Sequence, residues 1–361
     1  MLHQMLSIQY SKQNINMTVN KYCTMAVKTR IKYFNTLKFL AITGVVFLHC
    51  FILKDAEVLN FNIHHLSQIG RFGVPLFLLI SGALLLNREI ELKSFFKKRF
   101  VRICYPLLFF IIFAYIFNIY TQPLGAFWYC WMVLGAYLAI PIINIFVKFG
   151  TEKEIEYFLA LFVVTAILYQ IFNMFDITYS LDLNFFITPI SYLVLGYYLS
   201  TKEFKKSPNQ IILISLALFI VSTILKMKFG NFFDIYPKMN LSSTLDFGIL
   251  QIIQVSSVFL IVKNIYSEQV TGIFSTIKGF LEGKIVNSFI LSISRASYGM
   301  YLVHMLFLRQ YIRPFFKTVG FSGTKTLIAC FVTFISLFLV SWIITVILGK
   351  IPYVNKISGY A

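Results

Sequence analysis

The amino-acid sequence predicts an all-α fold: a polytopic membrane helical bundle with about ten transmembrane helices. Of its 361 residues, 58% are hydrophobic, 18% are aromatic and only 13% are charged, and the mean hydropathy is +0.77. Soluble domains carry about 25% charged residues, so this chain has too few charges to cover a water-exposed surface. The composition excludes a secreted disulfide scaffold, a disordered regulator and a soluble cytosolic enzyme.

Ten apolar stretches are long enough to be spans, because a helical span needs about 20 mostly apolar residues at a rise of about 1.5 Å each. The stretches are continuous rather than alternating, which favours helices over the strands of a membrane barrel. The second stretch is short, which indicates a tilted or partly re-entrant helix. The ten cover residues 34–53, 72–87, 103–120, 127–147, 157–174, 184–200, 210–226, 246–263, 287–308 and 325–348.

The distribution of charge predicts the side of the membrane that each loop faces. With the N-terminus in the cytoplasm, most of the 32 Lys and Arg residues fall in cytoplasmic segments, as the positive-inside rule requires. We therefore predict an N-in, C-in topology. It has a basic cytoplasmic leader over residues 1–32, a transmembrane domain over 33–349 and a short cytoplasmic tail over 350–361.

The net charge of +18 would suggest nucleic-acid binding in a soluble chain. The orienting bias of the loops explains it here, so we expect no nucleic-acid partner. The five cysteines are scattered, without a C-x-x-C pair or a histidine at metal-ligand spacing, so we expect no metal site.

Ionisable side chains inside spans are costly and mark candidate functional positions. The apolar part of the first span contains Lys38 and His49. At about 100° per residue both lie on one face of the helix, about 16 Å apart along its axis. Histidine can take a proton from a hydroxyl and return it near neutral pH. The alternative role for a lone membrane histidine is a helix–helix hydrogen bond.

Two further segments have both a structural and a functional interpretation. Ser81 and Gly82 end the 73–82 segment of the second span and, taken alone, indicate close helix packing. Arg99 and Arg102 lie at the cytoplasmic mouth of the third span and are three residues apart, so they share a helix face. Two guanidinium groups there could clamp a phosphorylated ligand, or they could simply anchor the cytoplasmic end of the helix.

The ninth span contributes Arg295, Tyr298, Tyr301 and His304. If this helix starts on the cytoplasmic side, His304 lies at a depth comparable with His49, which favours a shared polar site. The sequence over residues 128–141 predicts an aromatic belt at the membrane–water interface, followed by a tightly packed helix.

Together these segments resemble the acyltransferase-3 family of integral membrane acyltransferases, over about residues 33–349. The family pattern has a basic residue and a His with ten residues between them, an F-F-x-x-S-G segment and an R-x-x-R pair. A late S-Y-G-x-Y-L-x-H segment is a further resemblance. The matching positions are Lys38 and His49, residues 77–82, Arg99 and Arg102, and residues 297–304, with further similarity over 128–141 and 192–199. Leu78 replaces the second Phe of the family segment, which affects only packing.

The resemblance implies transfer of an acyl group, usually acetyl, from a cytoplasmic coenzyme A thioester to a hydroxyl of a cell-envelope polysaccharide or its lipid-linked precursor. It implies that Lys38, Arg99 and Arg102 bind acetyl-CoA, the acyl donor. His49 would be the general base or acyl carrier, and His304 a second catalytic group. Supporting residues would be Ser81, Tyr298 and Tyr301. The expected location is the inner (plasma) membrane, as a multi-pass protein in contact with membrane lipid.

Two other functions fit the hydropathy. A polysaccharide export protein would use Lys38 and His49 as a proton or substrate relay, although such transporters often contain inverted repeats, which are not evident here. A polysaccharide polymerase would leave the R-x-x-R pair and the histidine spacing unexplained. Dependence on acyl-CoA separates an acyltransferase from a transporter.

Overall fold

The computed structural model describes residues 32–51, 57–58, 61–119, 127–175, 183–233, 246–312 and 323–360. The predicted leader therefore lies outside the described residues, apart from Lys32, which begins the first helix. The α-helices are α1 (Lys32–Phe51), α2 (Gly73–Leu85), α3 (Leu92–Ile116), α4 (Trp128–Phe149), α5 (Glu152–Met174), α6 (Pro189–Thr201), α7 (Pro208–Phe233), α8 (Ile249–Ile265), α9 (Ile273–Glu282), α10 (Lys284–Phe307) and α11 (Gly323–Lys350).

The remaining elements are short. Two strands of two residues each, β1 (Glu57–Val58) and β2 (Phe61–Asn62), pair antiparallel. The other short elements are 3₁₀ turns at Ile63–Gly70, Asn184–Phe186 and Val354–Lys356, and a π turn at Leu308–Ile312. The first 3₁₀ turn leads towards α2 and extends the helical run to His64–Leu85, so the second span begins earlier than predicted.

Each of the ten predicted spans coincides with a helix, which confirms the polytopic helical bundle. Within the described ranges, seven helices are long and apolar enough to cross a membrane: α1, the run that contains α2, α3, α4, α5, α7 and α11. The other three are α6 with 13 residues, α8 with 17 and α10 with 24. α10 has sufficient length but carries more polar side chains. The count of ten crossings and the N-in, C-in topology stay predictions.

Large apolar side chains cover the outside of the bundle. Leu108 and Ile112 on α3, Leu213 and Ile224 on α7, and Ile335 on α11 are all exposed. Water-soluble proteins rarely present so much contiguous apolar surface, whereas acyl chains of a bilayer solvate it well. The chain is therefore a multi-pass membrane protein.

α2 and α6 cross at two glycines. A Cβ atom added to Gly82 would lie 1.8 Å from the carbonyl oxygen of Leu193, and one added to Gly196 would lie 2.0 Å from that of Leu79. Helix backbones approach this closely only where side chains are absent. The packing role predicted for the Ser81–Gly82 segment is therefore realised, and it fixes the helix that carries Ser81.

Polar contacts hold α1 against the later helices. The Ser294 hydroxyl on α10 lies 2.9 Å from Oδ1 of Asn35, and the hydroxyls of Thr36 and Tyr266 are 2.8 Å apart. These contacts fix the rotation of α1 about its axis. They also set the direction in which Lys38, within the next turn, leaves the helix.

A buried ion pair joins α7 to the start of α8. The Lys226 ammonium contacts the Asp246 carboxylate, and both side chains are buried. Lys226 also donates to Oε1 of Gln251 at 2.6 Å, and the Gly248 amide donates to the second Asp246 oxygen at 2.7 Å. A buried charge pair is tolerated only when such additional hydrogen bonds satisfy it.

The chain after α11 folds back onto α10. The amide of Gly299 donates to the carbonyl oxygen of Gly359 at 3.3 Å, and Gly359 has a φ of +71°. A Cβ on Gly299 would lie 2.3 Å from the Ser358 carbonyl oxygen. The segment over residues 351–360, called the C-terminal segment below, is therefore part of the packed structure.

Candidate active site

A cavity of about 300 Å³ lies between α1, α2, α3, α4 and α10. It is at the end of the bundle where α1 and α3 begin and α2 ends. All the residues predicted to bind the donor and all the predicted supporting residues line it, namely Lys38, Arg99, Arg102, Ser81, Tyr298 and Tyr301. Five separate helices thus bring residues that are far apart in sequence to one cavity.

The cavity is strongly cationic. Lys38 is close enough to Arg99 and Arg102 for their positive charges to repel one another. Arg88 and Arg295 are the other positively charged residues that line the cavity. Of the described residues that line it, none is Asp or Glu. Guanidinium and ammonium groups that converge in this way favour a ligand with several negative charges, such as a diphosphate.

Hydrogen bonds fix the walls of the cavity. The Tyr298 hydroxyl donates to the carbonyl oxygen of Ile103 at 2.8 Å, which ties α10 to the α3 turn that carries Arg102. Ser81 donates its hydroxyl to the Phe77 carbonyl oxygen at 2.9 Å, the usual back-bond of a helical serine. The Ser81 oxygen thus faces the cavity while its proton is held by the helix.

The two predicted catalytic histidines meet beyond the cavity. The rings of His49 on α1 and His304 on α10 have centroids 5.3 Å apart at an interplanar angle of 44°. His304 is fully buried and His49 is half-buried. The two histidines, for which a comparable depth was predicted, therefore lie in direct ring contact.

The hydrogen bonding of His304 defines its tautomer. Its Nδ1 lies 3.0 Å from the carbonyl oxygen of Met300, and a carbonyl can only accept, so Nδ1 carries the hydrogen in the neutral ring. Among the residues that the structure describes, Nε2 of His304 has no hydrogen-bond partner. This nitrogen consequently carries the lone pair of a ring that packs against His49.

Two tyrosine rings separate the cavity from the histidines. Tyr301 lies with its ring centroid 5.6 Å from that of His304 and 5.1 Å from that of Tyr129. Both tyrosines also line the cavity. Tyr129 and Tyr301 therefore lie between the cationic cavity and the two histidines.

Sequence reasoning missed part of this wall. Tyr129, Val133 and Tyr137 project into the cavity from one face of α4, although their segment was expected to form an interface belt. Their spacing of four residues was the available signal. Arg88 gave no such signal, because it lies between two helices. Arg295 was noted in the ninth span, but no role was predicted for it.

The acidic residues closest in sequence to His49 add nothing to the described site. Asp55 lies outside the described residues, and the side chain of Glu57 is not among those described. In the described part of the chain, no group of three or more His, Cys, Asp or Glu side chains is placed to hold a metal ion.

A family model described as an acyltransferase domain matches residues 31–346. The chain belongs to the acyltransferase-3 family. The match runs from the start of α1 almost to the end of α11, so this membrane acyltransferase contains the whole cavity and both histidines within its family domain. An acyltransferase requires an acyl donor and an acceptor. Comparisons with curated proteins and with solved structures give no match.

Proposed function

We propose that this membrane acyltransferase is an O-acyltransferase of the inner (plasma) membrane. It moves an acyl group, acetyl in the first instance, from cytoplasmic acetyl-CoA to a hydroxyl of a cell-envelope polysaccharide or its lipid-linked precursor. The proposal depends on one observation above all: a cationic cavity shares a tyrosine wall with a contacting pair of histidines.

The donor is held by charge. Coenzyme A carries a diphosphate, and Lys38, Arg99 and Arg102 offer the fixed cations that such a group needs. Hydrogen bonds of this charge-assisted kind are roughly twice as strong as neutral ones. With its phosphates held there, the flexible arm of the donor directs the thioester towards Tyr301.

The transfer itself requires a base for the acceptor hydroxyl. His49 takes the hydroxyl proton while the oxygen attacks the thioester carbonyl carbon and a C–O bond forms. The C–S bond then breaks, and the leaving thiolate takes the proton back from the His49 imidazolium. In the acyl-carrier version of this role, the His49 nitrogen attacks the thioester carbonyl carbon, the C–S bond breaks, and coenzyme A leaves as its thiol with the imidazole proton. The acceptor hydroxyl oxygen then takes the acyl group from the nitrogen and its proton returns to the ring. If a labelled acyl donor is supplied in the absence of the acceptor, labelled acyl-protein should then accumulate.

His49 rather than His304 contacts the acceptor because only His49 is partly exposed. We assign His304 to orienting its partner, since its Nε2 lone pair can accept an N–H from His49 and stabilise the charged imidazolium. This role is usually filled by a carboxylate.

The proposal is tested by NMR measurement of O-acyl groups on surface polysaccharide. Cells that lack the protein are complemented with wild type, His49→Ala or His64→Ala. His64 lies in the first 3₁₀ turn, away from the cavity lining, and is the matched control. We expect acyl signals to disappear in the deletion strain and with His49→Ala, and to return with wild type and His64→Ala at equal protein levels.

Wild-type acyl content with His49→Ala would contradict the mechanism. Unchanged acylation in the deletion strain, with polymer failing to reach the surface, would instead support transport.

A further inference from the structure

A second cavity adjoins the donor cavity on the outside of α3. It is a groove of about 700 Å³ between α3 and the C-terminal segment. Arg102 lines both spaces and so forms the wall that they share. The other charged and aromatic residues of the groove are Lys97, Lys98, Lys356, Tyr105 and Tyr360.

The inner cavity is too small for a complete acyl-CoA. A volume of about 300 Å³ is at the lower limit of pockets that hold one small organic molecule. Acyl-CoA joins an adenine, a ribose 3′-phosphate and a diphosphate to a long pantetheine arm. If the arm and thioester fill the inner cavity, the nucleotide has to lie outside it, on the far side of Arg102.

We propose that the groove between α3 and the C-terminal segment is the subsite for the donor's nucleotide. This inference rests on the proposed function. Lys38, Arg99 and Arg102 contact the diphosphate where the pantetheine arm enters the inner cavity, and Arg102 also faces the groove. Lys97, Lys98 and Lys356 bind the 3′-phosphate, and the rings of Tyr105 and Tyr360 flank the adenine.

Charge and chemistry both favour a nucleotide here. Four cations line the groove, and of its described lining residues none is acidic. Lys97, Lys98 and Lys356 are exposed, as is Tyr105 at 49%, so a ligand can reach them. Stacking on tyrosine suits a purine base, whereas the phosphate of a lipid headgroup would need the cations alone.

The C-terminal side of the groove is held in place. The Ser358 hydroxyl donates to the Asn355 carbonyl oxygen at 2.8 Å and accepts from the Tyr360 amide at 3.0 Å. The backbone contact between Gly299 and Gly359 fixes the same turn on α10. Lys356 and Tyr360 are therefore presented by an ordered turn.

Binding measurements on the purified full chain in lipid nanodiscs test the subsite. The probes are acetyl-CoA, adenosine 3′,5′-bisphosphate and S-acetylpantetheine, which lacks the nucleotide. A charge-assisted hydrogen bond contributes about 1.5–3 kcal/mol, so Lys356→Ala should raise the Kd of the two nucleotide probes about tenfold or more. The Kd of S-acetylpantetheine should stay unchanged. Lys350→Ala, in the last turn of α11, is the matched control, and Lys356→Arg should retain binding.

The outcomes separate this subsite from the proposed function. If wild type binds acetyl-CoA and Lys356→Ala leaves its Kd unchanged, the subsite is refuted while the proposed function stands. An effect of Lys356→Ala that disappears in nanodiscs without anionic lipid would identify a lipid headgroup site and overturn the inference. Failure of wild type to bind acetyl-CoA would refute both. Should Lys356→Ala not fold, Lys97→Ala tests the same groove from α3.

Discussion

The crossing of α2 and α6 gives a quantitative prediction for Gly82→Ala. The new Cβ would lie 1.8 Å from the Leu193 carbonyl oxygen, 2.5 Å from its carbonyl carbon and 2.7 Å from its Cα. Ordinary contact begins at 3.4 Å, so the two helices must separate by the difference, about 1.6 Å. All three atoms belong to the backbone, so no side-chain rotation can relieve the clash.

This displacement has a substantial cost. Overpacking costs typically 1–3 kcal/mol, and we expect Gly82→Ala to lower the free energy of unfolding by about 3 kcal/mol, because the matching contact of Gly196 with Leu79 is lost as the helices separate. With an unfolding entropy of about 2.1 cal/mol/K per residue, in a chain of 361 residues this corresponds to a fall in melting temperature of about 4 °C.

Thermal unfolding of the purified protein in one detergent, followed by intrinsic fluorescence, measures the effect. Gly135→Ala is the matched control, since Gly135 is inside α4 and has nothing within 4 Å of an added Cβ. Alanine in an exposed helix interior is more favourable than glycine by up to about 1 kcal/mol. The control should therefore melt at or slightly above the wild-type temperature. A Gly82→Ala protein as stable as Gly135→Ala would refute the close crossing.

Two further predictions concern the histidine site and the buried ion pair. His304→Ala should lower the rate of acyl transfer by roughly 10²–10⁴-fold, because His49 then loses the partner that orients it as general base, while the Kd of acetyl-CoA stays at its wild-type value. Lys226→Met removes the cation that Asp246 contacts and should cost about 3–5 kcal/mol, seen as a lower melting temperature. The double variant Lys226→Met with Asp246→Asn should recover most of that loss.

Each of these predictions has a contradicting result. Normal transfer by His304→Ala would show that His49 needs no orienting partner. Equal melting temperatures for wild type and Lys226→Met would mean that the ion pair adds nothing to stability. A double variant as unstable as the single one would point to lost packing around Lys226 instead of an uncompensated carboxylate.

The sequence predicted those parts of the site that follow from local periodicity. Lys38 and His49 share a face of α1 because their spacing is close to three helical turns, and Arg99 and Arg102 share a face for a similar reason. The helices themselves follow from continuous apolar stretches. Depth in the membrane, counted from the helix ends, placed His49 and His304 at a comparable level and favoured a shared polar site, whereas their ring contact follows only from the packing of α1 against α10.

The rest depends on how separate helices rotate and pack. Arg88 joins the cationic cavity only because α2 ends beside α3, and Arg295 joins it through the rotation of α10. Helix α9 was not predicted, since its 10 residues are too short for a span. The return of the C-terminal segment onto Gly299 depends on backbone contacts that hydropathy does not encode.

The contact between His49 and His304 also bears on the biogenesis of the protein. The first histidine is made early and the second near the end of translation. At about 5–20 residues per second, the first helix waits on the order of 10–50 s for its partner. During this interval Lys38 and His49 are in the membrane before the helix that completes their site exists. Two ionisable side chains of α1 therefore remain in the membrane without the packing of α10 until that helix is made, a costly state for such groups.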